Sequence, residues 1–139
     1  METLYRANLP TPLKVVAVYL LLYGLFTGYF VVENWSDWES RIADRSLGYT
    51  LGYLLKGPLL APLALAASFG LSGARMWGRN CAICVLVLST IFDAQAFAWG
   101  YSQSPPTVVV LLAAFALYAG WNAIWAVLLF RRSVREALN

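Results

Sequence analysis

Histidine is absent from the 139 residues, cysteine occurs twice, and charged side chains make up only 12% of the chain. Each shortage closes a class of chemistry. Without histidine there is no imidazole base and no usual ligand for haem or a di-metal centre. Two cysteines supply only half of a four-ligand zinc site, so no metal is expected. A Gly-rich phosphate loop and a Ser/His/Asp set are also missing, and catalysis by residues of this chain is not the favoured reading. No cofactor is assigned. The charged fraction is about half that of an ordinary soluble domain. The basic residues form no continuous face, which speaks against a nucleic-acid partner.

What fills the chain instead is apolar and aromatic. Hydrophobic residues make up 60%, aromatics 15%, with six Trp and eight Tyr, and the mean hydropathy is +0.64. That balance fits an all-α polytopic membrane protein, with membrane lipids around it. The length holds one domain of about four spans at ~20 residues each. The apolar runs predict helices at about 13–32, 49–72, 81–99 and 108–130, all within one four-helix transmembrane domain covering 1–139. The opening METLYRANLPTPLK does not read as a cleavable signal, so the first run is expected to be a retained helix.

Helix 1 follows Pro12, a residue suited to a first helical turn. Its Gly24 and Gly28 form a small-xxx-small pair that lets a neighbouring helix approach. The stretch 33–47 carries most of the acidic residues. Its Trp35, Trp38 and Ile42 recur at helical spacing, which predicts a short amphipathic helix lying in the interface, with Trp35 and Trp38 as anchors. Helix 2 has two possible starts. One near Tyr49 buries Lys56 and puts Pro58 and Pro62 inside the helix. The other, at Gly57–Pro58, leaves Lys56 at the surface. A basic loop at 73–80 and an uncharged turn at 100–107 complete the connections.

Seven of the ten basic residues, Arg6, Lys14, Arg75, Arg79, Arg131, Arg132 and Arg135, fall on the N-terminal segment, the 73–80 loop and the tail. The positive-inside rule then places both termini in the cytoplasm.

Two constellations carry possible chemistry. Asp93 is the one acid inside a clear apolar span, and an intramembrane carboxylate is a functional candidate by default. On the longer reading of helix 2, Lys56 reaches a similar depth, and the two residues form an intramembrane charged pair; alternatively, Asp93 serves a proton or cation relay, or meets a partner subunit or an outer-leaflet water pocket. The second is Cys81-Ala-Ile-Cys84. Thr90, Gln95, Tyr118 and Asn122 read as interhelical hydrogen-bonding groups. Trp121 and Trp125, one turn apart, read as anchors near the cytoplasmic interface.

The Cys81/Cys84 spacing at a helix start resembles quinone-linked thiol oxidases of the vitamin K epoxide reductase type. That resemblance implies a redox pair, but those families relay electrons through a second pair, and the adjacent arginines put this one on the reducing side. The turn Arg75-Met-Trp-Gly-Arg79, with the ending Leu129-Phe-Arg-Arg-Ser-Val-Arg135-Glu-Ala, resembles small bacterial four-helix inner-membrane proteins, where Ala is usual in place of Gly78. This resemblance implies a bacterial inner (plasma) membrane and says nothing about activity.

The first functional expectation is a non-catalytic accessory or stabilising subunit, bound to other integral membrane subunits or to copies of itself. The second is a small proton- or cation-coupled transporter centred on Asp93. The third, a membrane thiol–quinone oxidoreductase using Cys81 and Cys84, requires that Cys84→Ser destroy activity.

Overall fold

A computed structural model describes residues 9–36, 55–103 and 108–138. Every described element is helical: α1 is Thr11–Glu33, a π-helical turn at Leu55–Leu59 runs into α2 at Leu60–Ser72, α3 is Met76–Gln103, α4 is Val108–Phe130 and α5 is Arg132–Ala137. Among the described residues, three helices are long and apolar enough to cross a membrane: Thr11–Glu33, Met76–Gln95 and Leu112–Phe130. The expected interfacial helix lies outside the described residues beyond Ser36, as do Trp38 and positions 49–54.

The chain is already helical at Leu55, so the start of helix 2 at Gly57–Pro58 is not adopted. Pro58 sits inside the helix. Proline removes one N–H and crowds the preceding turn, which is a physical cause for the wider π turn there.

The α2–α3 connection is tighter than a 73–80 loop. Ala74 takes a left-handed φ of 52°. The Ala74 N–H donates to the Leu71 carbonyl at 3.0 Å and the Arg75 N–H to the Gly70 carbonyl at 2.8 Å. This is the Schellman ending of a helix, with alanine where glycine is usual. It lets α3 begin at Met76, so Arg79 and Cys81 lie on the helix and not before it. The far end of α3 also extends past the expected stop at Trp99, to Gln103.

Two glycines allow this hairpin to close. A Cβ on Gly70 would stand 2.5 Å from the Gly78 Cα, and a Cβ on Gly78 would collide with the Gly70 and Leu71 backbone. No side chain larger than hydrogen fits while the backbones stay in place. Gly70 and Gly78 each lie four residues from Ala74, so their contact sets the antiparallel register. Counting outward, to within one residue of that register, Ala67 comes level with Ala82, Ala64 with Val85 and Leu60 with Ser89, and all six are buried. The next level pairs Lys56 with Asp93.

Helix α1 packs on α2 by the same device. A Cβ on Gly24 would meet Leu65 at 2.9 Å, while Gly28 has room for one at 3.8 Å from the Ala61 Cβ. The buried Ser68 hydroxyl donates to the Ala17 carbonyl at 2.7 Å and ties the two helices together. Helix α4 packs against α3 and, more lightly, against α1.

One end of the bundle gathers the chain termini. Leu9, Leu13, Leu71, Ala82, Leu129 and Val134 share a buried cluster. Arg131 adopts an extended ψ of 143° and ends α4, and α5 turns back so that Val134 and Leu138 are buried. The basic tail therefore folds onto the bundle and does not continue α4 straight out. The Arg79 Nε–H donates to the Leu129 carbonyl at 3.2 Å, and its guanidinium lies 4.9 Å from the centre of the Phe130 ring. A carbonyl at the helix end is thereby satisfied. Lys14, Arg75, Arg79, Arg131, Arg132 and Arg135 all belong to this end.

The close crossing makes a sharp expectation. Gly78→Ala forces the backbones apart and lowers stability by ~1–3 kcal/mol, as overpacking does. Gly120→Ala, where a Cβ meets nothing within 4 Å, leaves it unchanged or higher. Thermal unfolding of both variants in detergent, monitored by tryptophan fluorescence, measures the difference.

Candidate functional site

The Lys56–Asp93 level is where the ladder of buried apolar residues gives way to charge. The Lys56 Nζ lies 3.5 Å from an Asp93 carboxylate oxygen, with side chains 46% and 23% exposed. Lys56 is on the π turn and Asp93 is on α3. Because α3 starts at Met76, Asp93 lies ~25 Å along the helix from the α2–α3 turn, at 1.5 Å per residue. A helix begun at Cys81 would place it only ~18 Å in, so the pair sits nearer the opposite end of the bundle than its place in the apolar run suggests.

The pair is not packed over. It stands in the wall of a half-open chamber of about 480 Å³. Helix α1 contributes Tyr19, Tyr23, Phe26, Thr27, Phe30 and Val31; α3 adds Ser89 beside Asp93; α4 adds Tyr118, Trp121 and Asn122; and Gly57 flanks Lys56. Six aromatic rings therefore face a space that holds one carboxylate and one ammonium. Ligand pockets commonly measure 300–1,000 Å³, mostly apolar with a few placed polar groups.

Aromatic packing holds α1 and α4 together beside the chamber. Tyr19 stacks on Trp125 at 4.3 Å between ring centres with an interplanar angle of 7°. Trp121 meets Trp125 edge-on at 5.5 Å and Tyr19 at 6.2 Å. Offset stacking and edge contacts are the preferred arrangements of such rings. Trp121 and Trp125, read from the sequence as interface anchors, thus serve the α1–α4 contact, and Trp121 also lines the chamber. Trp35 is exposed just beyond the end of α1.

A polar cross-link joins α3 to α4 at the chamber floor. The Asn122 side-chain amide donates to Thr90 Oγ1 at 2.8 Å and to Ser89 Oγ at 3.1 Å. Both hydroxyls donate in turn to the Leu86 carbonyl, at 2.8 and 3.0 Å. The interhelical role read for Thr90 and Asn122 is what these bonds perform. Gln95 is exposed, and Tyr118 lines the chamber.

The cysteines lie elsewhere. Cys81 packs partly buried against the core, Cys84 is exposed, and both are free thiols. Neither lines the chamber. Among the described residues no three His, Cys, Asp or Glu side chains group to hold a metal ion.

The sequence brought Lys56 and Asp93 to notice through depth alone. It did not indicate the aromatic wall, because Tyr19, Tyr23 and Trp121 read as ordinary membrane-helix aromatics until α1 and α4 are set side by side. Neither a protein-family model, nor a curated protein, nor a solved structure matches the chain. Geometry alone therefore carries the functional argument.

If the ion pair holds the π turn against α3, Lys56→Met and Asp93→Asn each lower the melting temperature. The double substitution Lys56→Met/Asp93→Asn recovers most of the loss, because it leaves no charge without a partner. Melting curves of all four proteins form the cycle; strictly additive losses would exclude the coupling.

Proposed function

We propose that this chain is a small integral membrane carrier, proton- or cation-coupled, whose working site is the Asp93–Lys56 chamber. The observation that carries the reading is that an ion pair beside apolar helices opens onto a chamber large enough for a ligand. Here the carboxylate stays accessible. Asp93 needs one positive partner in an apolar setting, and Lys56 supplies it at rest. A proton or cation arriving at Asp93 competes with Lys56 for the same oxygens. A ligand that binds the state with Lys56 displaced shifts the population toward that state.

In this reading the second span covers 49–72 and makes a four-span bundle with α1, α3 and α4. The amphipathic segment 33–47 lies in the interface. The basic end faces the cytoplasm of a bacterial inner membrane, with both termini there. The chamber then lies toward the outer leaflet.

A second reading, the accessory subunit, draws on α4. Only 11% of its most apolar window, within Leu112–Phe130, is buried, and Leu112, Leu117, Ile124 and Val127 are all exposed. Lipid covers such a face as readily as another subunit does, so it supports the subunit reading less specifically than the chamber supports a carrier. Purification in mild detergent with mass spectrometry separates them: a second protein at fixed stoichiometry supports the subunit, and a pure homo-oligomer opposes it. The thiol–quinone reading has the weakest geometric support, since Cys81 and Cys84 stand apart from the chamber.

The carrier reading is tested in proteoliposomes that contain a pH-sensitive dye, under an imposed potential or a sodium or potassium gradient. Flux present with the unaltered chain is abolished by Asp93→Asn, while the gel-filtration peak is unchanged. Flux indifferent to Asp93, or none with any of the three ions, would overturn it.

A further inference from the structure

The chamber differs from an inorganic-ion site in its walls. Small hard cations take oxygen ligands, six to eight for calcium and six for magnesium. Among the described residues, the chamber offers one carboxylate, a few hydroxyls and one amide, scattered over three helices. The dominant surface is aromatic: Tyr19, Tyr23, Phe26, Phe30, Tyr118 and Trp121. The face of an aromatic ring carries negative electrostatic potential and attracts a cation within about 6 Å of its centre. Quaternary and other alkylated ammonium groups, weakly hydrated and apolar at the rim, are the ligands such cages hold best.

Asp93 adds the one full negative charge. Its contact with Lys56, at 3.5 Å, is longer than the ~2.7–2.9 Å of a tight charge-assisted hydrogen bond. Lys56 is nearly half exposed and sits on a π turn. Irregular turns of this kind recur at functional sites because they free side chains from the regular helical ladder. Lys56 is thus a loosely held counterion with a long, flexible stem, and it can withdraw toward the headgroups when another cation arrives.

We infer that the chamber takes a monovalent organic cation, an aryl- or alkyl-substituted ammonium, bound between the aromatic wall and Asp93 with Lys56 displaced. The inference rests on the reading that the chamber is the working site. The charge is essential and the apolar substituents are accommodated, so neither a neutral hydrocarbon nor an organic anion is a substitute. Among the described residues, Asp93 and Lys56 are the charged groups on the chamber wall, with Tyr19, Tyr23 and Tyr118 as its other titratable groups.

The test uses the full chain in nanodiscs of uncharged phosphatidylcholine, with three probes of matched shape. These are benzyltrimethylammonium, its neutral carbon isostere neopentylbenzene, and the anion benzylphosphonate. Binding is followed by calorimetry and by tryptophan fluorescence, since Trp121 is in the wall. The ammonium binds saturably, and the isostere and the anion bind at least ~10-fold more weakly. Asp93→Asn lowers ammonium affinity ~10-fold or more, Asp93→Glu restores most of it, and Trp121→Leu, at a half-exposed position, lowers it severalfold. Equal binding of ammonium and isostere by the unaltered chain would overturn the assignment without recourse to any variant. So would preferential binding of benzylphosphonate, which would point to Lys56 as the anchor. Saturable ammonium binding without Asp93-dependent flux upholds the site and sinks the carrier. Asp93-dependent proton flux without ammonium binding upholds the carrier and sinks this ligand class.

Discussion

The close approach of Gly70 and Gly78 is the constraint on which the rest of the bundle depends. Helices α2 and α3 are consecutive and antiparallel, so one contact near their turn fixes the register of the whole pair. With these backbones touching, each successive level alternates buried small and apolar residues, Ala67 and Ala82, then Ala64 and Val85, then Leu60 and Ser89. In a membrane there is little hydrophobic force to pull helices together, and close packing through small residues takes its place. A change of register would turn other side chains to the interface and carry Asp93 away from Lys56. The charge pair is thus a consequence of the glycine crossing at the other end of the hairpin.

The chamber follows from what the other two helices do at the Lys56 level. Helix α1 is drawn onto α2 by Gly24 and by the Ser68 hydroxyl on the Ala17 carbonyl. Helix α4 is held to α3 by the Asn122 amide and to α1 by the Tyr19–Trp125 stack. Those bulky rings keep α4 from lying as close to α1 as α2 does. The interval between α1 and α4 therefore remains open where Asp93 faces it, and the same rings that prop it open line it.

Much of this architecture is visible in the residues alone. The all-helical class follows from long apolar runs, and α1 and α4 fall within two residues of their expected bounds because each is a single uninterrupted run. The Lys56–Asp93 contact was suggested by a match of depths that counted α3 from Cys81, five residues later than its start at Met76. The start of α3 was not legible, because Arg75-Met-Trp-Gly-Arg-Asn reads as a polar loop. What decides otherwise is the left-handed Ala74, a backbone state that alanine rarely adopts and that no pattern announces. Gly78 is the instructive residue. It stands where the resembling turn has alanine, which looks like a neutral exchange until the Gly70 backbone is seen against it. The Tyr19–Trp125 stack joins helices about a hundred residues apart in the chain and leaves no local signature.

The distribution of charge along the bundle bears on how the chamber would work. Lys14, Arg75, Arg79, Arg131, Arg132 and Arg135 collect at the end that holds the α2–α3 turn, and Asp93 lies ~25 Å away along α3. Charges on different sides of an apolar layer are poorly screened by solvent, so this arrangement produces a field along the bundle axis that opposes passage of a cation past the basic end. Among the described residues, a cation entering from the other end meets the carboxylate before it meets any arginine. In the proposed reading Lys56 matters twice. It neutralises Asp93 when the chamber is empty, and it imposes competition, so that only a ligand with binding energy beyond its charge displaces it. The six rings are the source of that extra energy, and they reward an apolar, weakly hydrated cation over a small hydrated one. On that proposal, selectivity in this chamber depends less on the carboxylate than on the aromatic wall that surrounds it.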